Sequence, residues 1–474
     1  MTFTNLTFKQ AVLTTPVMTT TTNGMAAYEG SLDACVDLFF AIGASRGKNI
    51  TGQFEKALAQ NPEIALRIVQ WARDAREGAG ERELFRQVLR HLEQNHRALL
   101  LSSNILSNVS WIGRWDDLLS FTSDQVLNES FALIREALDN RDGLCAKWMP
   151  RKGPMAARLR TYLGWSPKFY RKRLVELTSV VETQMCAKQW NEINFSHVPS
   201  VAMGRYTKAF NRNAPDHFAA FKEKLVSGDK SVKVNAGAVY PHDVINVLKT
   251  GDQVIANEQW KALPNYLGDE LILPLVDVSA SMDTPVAGTK KLTAMDAAIA
   301  LGLYVSDKNT GPFKDMFLTF TDQSKFVHLN GSLQSKWQQM QRADWSGSTN
   351  LESAFDQILS VAVNRQIAPD QMPKVLLILS DMQFNQACRG HNDTAMRMIQ
   401  RRYEAAGYTV PNIVFWNLCN HSSVPATFDQ SGTAMISGFS PSIMKAVLSG
   451  DMEAMTPQRV MLAAISNKRY DVKI

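Results

Sequence analysis

The sequence predicts a two-part chain: a HEAT-like α-helical solenoid followed by a doubly wound α/β sheet. Three observations predict it. From Leu32 to about Leu248, apolar residues recur at helical spacing with short turns between runs. From Tyr266 onward, short apolar runs alternate with helical patterns, as in parallel strands joined by crossover helices. At 474 residues the chain is too long for one ordinary core.

The elements follow in order. Residues 1–26 are Thr-rich with little periodicity, which predicts an extended arm. Residues 27–265 form the helical domain. Asn61-Pro62 reads as an N-cap followed by Pro at the first helical position, and Ile64, Ile68, Trp71, Ala72 and Ala75 mark one face. Gly78-Ala79-Gly80 ends that helix; Leu84, Val88, Leu89 and Leu92 carry the next. Trp111 and Trp115, at i and i+4, are expected in the core. Pro264 and Gly268 punctuate the junction to residues 266–474. There, strands are expected at Leu271–Val276, Phe317–Phe320, Phe326–His328, Pro373–Leu379, Asn412–Leu418 and Ala434–Ser437. Helices are expected over Ala294–Ser306, after Asn350, over Asp393–Ala406 and over Pro441–Leu448.

The chemistry concentrates at two strand ends. Leu271–Val276 runs into Asp277-Val278-Ser279-Ala280-Ser281, which sets one carboxylate and two hydroxyls at alternate positions. Open α/β sheets place ligands at the carboxyl ends of their strands. A second apolar strand ends in Ser380-Asp381, and Thr349 stands at the start of a helix between them. Hard oxygens suit Mg²⁺, Mn²⁺ or Ca²⁺ rather than zinc or copper. The ordinary alternatives are a Ser-rich turn, a Thr helix cap and incidental acids.

These three pieces resemble the von Willebrand factor type A domain and its metal-ion-dependent adhesion site. The resemblance implies that Asp277, Ser279, Ser281, Thr349 and Asp381 hold the cation. Asp322 reads as a turn residue, with a supporting ligand role as the alternative. An ion held by hydroxyls and two carboxylates stays electron-poor, so an open position favours an anionic ligand. A partner protein's Asp or Glu could fill it, and so could a phosphate. No general base stands beside a nucleophile in this pattern, which argues for binding rather than catalysis.

Charge is unevenly shared. The 265 residues ahead of Tyr266 carry a net +7 and the remainder −1, together the chain's +6. Between Asp142 and Glu176 there is no acid. That window holds Lys147, Arg151, Lys152, Arg158, Arg160, Lys168, Arg171, Lys172 and Arg173. Trp148, Tyr162, Trp165, Phe169 and Tyr170 interleave them. Cations with aromatics meet the needs of a phosphate backbone and unstacked bases. The plain alternative is a solvated helix face with core aromatics.

Further short motifs run from about Thr19 to Gly450. They include Gly113-Arg114-Trp115-Asp116-Asp117-Leu118, Lys147-Trp148-Met149-Pro150-Arg151-Lys152, Tyr170-Arg171-Lys172, Val198-Pro199-Ser200, Ser380-Asp381-Met382-Gln383-Phe384, Phe415-Trp416-Asn417 and Ser437-Gly438-Phe439-Ser440. They resemble an uncharacterised family of helical-plus-type-A proteins. Its layout is similar to the Ro ribonucleoprotein and its TROVE module, in which helical repeats bind structured RNA and its ends. The resemblance implies a non-catalytic RNA-binding protein, with a metal-dependent protein scaffold as the alternative.

Composition fits this reading. No apolar run approaches the ~18 residues that span a bilayer, so no membrane is expected. Cys35, Cys145, Cys186, Cys388 and Cys419 are scattered and lack metal spacing, as expected of a reducing, cytoplasmic setting.

Overall fold

The computed structural model describes residues 15–286, 292–321, 323–343, 349–384, 395–419, 423–448 and 454–474. The loop Trp345–Ser348, Asp322, Cys388, His391, His421 and the first fourteen residues of the expected arm lie outside them. The chain divides into two compact units that interleave along the sequence. One contains Met1–Ile68 and Asn265–Ser466; the other contains Val69–Pro264 and Asn467–Ile474. The sequence reading instead set one boundary near residue 265.

The reason is visible in the chain's first elements. Strands β1 (Met18–Thr20) and β2 (Ala26–Tyr28) form an antiparallel hairpin in the segment expected as a loose arm. Tyr28 exchanges backbone hydrogen bonds with Val424, of the sheet unit. Helix α1 (Ala34–Ile42) is capped by Asp33 and buries Leu38, Phe39 and Ile42. At its C-terminal end the Gly43 N–H donates to Ser437 Oγ, which donates to the Phe39 carbonyl. A Cβ on Gly43 would lie 2.7 Å from the Ser437 backbone, so only glycine permits this approach. Helices α2 (Thr51–Gln60) and α3 (Pro62–Arg73) follow. Asn61 Oδ1 caps α3 by accepting from the Ile64 N–H, as the Asn-Pro pair predicts.

The second unit is helical. It comprises α4 (Arg82–Asn95), α5 (Arg97–Ser102), α6 (Ile105–Ile112), α7 (Asp124–Asp139), α8 (Gly143–Trp148), α9 (Pro154–Leu163), α10 (Pro167–Leu177), α11 (Val181–Cys186), α12 (Ser200–Asn213), α13 (Pro215–Val226), α14 (Pro241–Thr250) and α15 (Gln253–Ala262). Helix starts follow the sequence signals: Asp142, Ser166 and Asp252 cap α8, α10 and α15 through their side chains. One aromatic cluster, Phe195, Phe210, Phe218 and Phe221, fills the space between α12 and α13. Trp111, expected in the core, is 69% exposed at the end of α6. The buried positions of that helix are Ile105, Leu106, Val109 and Ile112, and Trp111 falls outside that stripe.

The first unit is completed by a six-stranded sheet. Its strands are β3 (Ile272–Val276), β4 (Met316–Thr319), β5 (Phe326–His328), β6 (Val375–Ser380), β7 (Asn412–Asn417) and β8 (Thr433–Ser437). They lie in the order β5-β4-β3-β6-β7-β8, all neighbours parallel except β4 and β5. Counted within the sheet this is 3-2-1-4-5-6, the doubly wound order, with a reversal between β3 and β6. Among the described residues, the remaining α-helices of this unit are α16 (Ala294–Lys308), α17 (Leu333–Arg342), α18 (Leu351–Arg365), α19 (Ala395–Ala405), α20 (Met444–Leu448) and α21 (Pro457–Ile465).

Strands β3, β6 and β8 are buried along their whole length, as continuous apolar runs require of a sheet covered on both faces. Pro274 sits inside β3 without breaking it. The Asp277 N–H donates to the Leu379 carbonyl of β6, so odd-numbered amides face β6 and position 274 faces β4. Pairing with β4 begins only at Leu275, so the missing N–H removes no ladder bond. Helix α16 lies close to β3 because it is Ala-rich and has Gly302 at the contact, where a Cβ would come within 2.5 Å of Val276.

Candidate functional site

The strand order fixes where a ligand can sit. The reversal between β3 and β6 opens a crevice at their carboxyl ends, and Asp277 and Asp381 each stand one residue beyond those two strands. Both carboxylates are fully buried. Asp277 Oδ1 accepts from the Ser279 N–H at 2.9 Å, and its Oδ2 accepts from Ser380 Oγ at 2.6 Å. Ser380 Oγ also accepts from the Met382 N–H, in a turn where Met382 has φ +66°. Ser279 and Ser281 bring their hydroxyls within 3.0 Å of each other, Ser279 half-buried and Ser281 exposed. Thr349, also buried, donates its hydroxyl to the Gln383 carbonyl at 2.7 Å. The Gln383 N–H in turn donates to Asp381 Oδ1 at 3.1 Å. Buried carboxylates thus lie at the base and serine hydroxyls at the mouth.

The electrostatics match a cation site. Burial, then the nearby Asp381 charge, push Asp277 up to about 6, against the hydrogen bonds from Ser380 and Ser279. Two carboxylates and three hydroxyls are hard donors that fit Mg²⁺, Mn²⁺ or Ca²⁺. Cys419, just past β7, feels both aspartates as well. Burial, then the Asp381 charge, raise its thiol to about 11. Sequence reasoning did not place Cys419 or Gln383 at this site.

The second candidate region is the acid-free window, and its nine bases separate into three groups. Lys147, Arg158 and Arg173 face Glu182, Asp124 and Glu176. Arg151 donates to the Ala146 carbonyl and Thr178 Oγ1, and Arg160 donates to the Ala156 carbonyl of its own helix. Lys152, Lys168, Arg171 and Lys172 are exposed and make no ion pair with the described residues. Lys168, Arg171 and Lys172 lie at i, i+3 and i+4 on α10 and therefore share one face. The segment carrying Lys152 is tied to the same helix, since Tyr170 donates its hydroxyl to the Pro150 carbonyl.

The interleaved aromatics divide likewise. Arg114 covers the Trp148 ring at 3.4 Å, Arg135 covers Tyr162 at 4.6 Å, and Tyr170 is buried. Phe169 is 51% exposed on α10, with Trp165 edge-on to it at 5.2 Å. One aromatic pair, not five rings, accompanies the free cations.

Comparison with known proteins assigns the family. The "Uncharacterized protein L728" of Acanthamoeba polyphaga mimivirus is 31% identical over 507 residues, covering 93% of this chain and 86% of that protein. The chain belongs to the same family. Two family models described as domains of unknown function match within it: DUF2828 over 21–119 and 155–270, and DUF7788 over 272–471. Among solved structures, the crystal structure of the Deinococcus radiodurans RO (RSR) protein covers 88% of this chain and 90% of its own, at 15% identity and a TM-score of 0.40. That likeness is too low to identify a fold. Among the described residues no helix is long and apolar enough to cross a membrane.

Proposed function

We propose that this chain is a non-catalytic RNA-binding protein. Its helical unit contacts phosphate, and its sheet unit, which resembles a von Willebrand factor type A domain, holds a divalent cation. The observation that carries the RNA reading is the exposed face of α10. Lys168, Arg171 and Lys172 crowd like charges at i, i+3 and i+4, an arrangement that costs a helix a few tenths of a kcal/mol per pair. A polyanion relieves that repulsion. Phe169 beside them offers a ring on which an unpaired base can stack. Lys152 extends the surface, whereas Lys147, Arg158 and Arg173 already face acids.

Filter binding of an RNA hairpin with a single-stranded end tests this reading. The triple variant Lys168→Ala, Arg171→Ala, Lys172→Ala should weaken binding. It should also flatten the slope of log affinity against log salt by about 2, at about 0.7 per phosphate contact. Phe169→Ala should cost about 1–3 kcal/mol with little change in slope. If both variants bind like the parent chain, the assignment of α10 is wrong.

A second reading has its own observation. Ser281 is exposed at the mouth of the aspartate site, so a held cation can accept an anionic ligand from outside. In that reading the ligand is a partner protein's carboxylate. Asp277→Ala would then abolish capture of an acidic peptide, whereas under the RNA reading it should leave RNA affinity largely intact. RNA incubated with the protein and Mg²⁺ should remain intact under both readings.

A further inference from the structure

The residue that joins the two halves of the metal site is Gln383, and it is held by a segment more than 350 positions earlier in the chain. Its N–H donates to Asp381 Oδ1, and its carbonyl accepts from Thr349 Oγ1. Gln383 is therefore bonded to two of the five proposed ligands. The turn of the β1–β2 hairpin grips the same loop at three points. Thr22 donates its N–H to Gln383 Oε1 at 2.6 Å, and Asn23 Nδ2 donates to the Gln383 carbonyl at 2.7 Å. Thr21 Oγ1 donates to the Phe384 carbonyl at 2.6 Å in a buried contact. The turn is itself rigid, since Gly24 N–H donates to the Thr21 carbonyl and Met25 N–H donates to Thr21 Oγ1.

We propose that Thr21, Thr22 and Asn23 are positioning residues for the divalent cation, holding Thr349 and Asp381 in place through Gln383. This rests on the reading of the aspartate pair as a cation site. The Gln383 carbonyl has two lone pairs, and Asn23 and Thr349 each donate to it. With its proton committed there, the Thr349 hydroxyl can meet a cation only through its oxygen. Groups that orient ligands in this way control metal affinity without touching the metal.

The test is a Mn²⁺ titration of the full chain, followed by electron paramagnetic resonance of the free ion. The chains compared are the parent, Asn23→Ala, Thr21→Val and Asp277→Ala. Asn23 is exposed, so its replacement leaves packing intact, and melting in EDTA by circular dichroism should match the parent. The expected result is Mn²⁺ affinity about 10- to 100-fold weaker for Asn23→Ala, with an unchanged melting temperature in EDTA. Thr21 is buried, so Thr21→Val is judged by the same pair of measurements, and a loss of affinity with unchanged melting supports the clasp. If the parent and Asn23→Ala bind Mn²⁺ equally while Asp277→Ala does not, the clasp is refuted and the cation site stands. If the parent shows no saturable Mn²⁺ binding, the cation site falls, and the clasp with it.

Discussion

Two pairs of aspartates, one in each unit, are treated in opposite ways; Asp117, Asp277 and Asp381 are buried and Asp116 is half-buried. In the helical unit, Asp117 accepts from Arg73 Nε at 2.8 Å and from Arg86 Nε at 2.7 Å. Its neighbour Asp116 takes Arg86 at 3.0 Å and Arg114 from its own turn. Burial alone would raise Asp116, but the hydrogen bonds and charges of Arg114 and Arg86 outweigh it and hold it below the ordinary range. In the sheet unit, burial and the Asp381 charge push Asp277 up instead, to about 6. Carboxylates buried against arginines are complete as structure. Carboxylates buried close to one another, at the strand ends where doubly wound sheets bind ligands, form an arrangement that a bound cation would stabilise.

The comparison can be broken outright by Asp277→Ala. It should eliminate saturable Mn²⁺ binding, read by isothermal titration calorimetry, whereas Asp117→Ala should leave the affinity unchanged in whatever fraction folds. Binding that survives Asp277→Ala would remove the difference between the pairs. Next in size is Arg73→Met, which leaves Asp117 short of a partner in a fully buried setting. It should cost about 3–5 kcal/mol in urea unfolding. A loss under about 1 kcal/mol would mean that the arginine network is dispensable.

A smaller effect sharpens the contrast. Mn²⁺ at a hundred times its dissociation constant should stabilise the parent chain by about 2.7 kcal/mol. It should leave Asp277→Ala unmoved; equal stabilisation of both chains would place the ion elsewhere. The smallest effect is in pH. Asp116 has a folded pKa below its ordinary 3.8, so its contribution is present above that value and is lost as pH falls through the lowered one. Asp116→Asn should therefore be less stable than the parent near neutrality by about 1 kcal/mol, with the gap closing below about pH 4. A gap that is constant with pH would assign the loss to packing rather than charge.

The proposed ligands were legible because strand-end chemistry is local. An apolar run long enough for a buried strand, followed by Asp, marks its own carboxyl end, and two such runs carry Asp277 and Asp381. The basic window was legible as composition only. Nothing in the spacing of Lys147, Arg158 and Arg173 reveals that Glu182, Asp124 and Glu176 return to them in the fold. Trp111 was misread because i, i+4 spacing with Trp115 marks a shared face without saying which face is buried. The N-terminal hairpin was misread for a related reason. A Thr-rich segment without an apolar stripe has no local preference strong enough to announce a partner, and its partners lie some 360 residues away.

By itself, the sequence determined the helical and sheet-forming stretches, the strand ends that carry acid, and the excess of positive charge in the first part. Those are properties of neighbouring residues and of their period along the chain. Only the tertiary structure decided which cations remain exposed, which aromatic ring is uncovered, and that residues 15–68 belong with the sheet unit. Each of these depends on the pairing of distant residues, where hydrogen-bond geometry and burial select one partner among many that the local pattern allows.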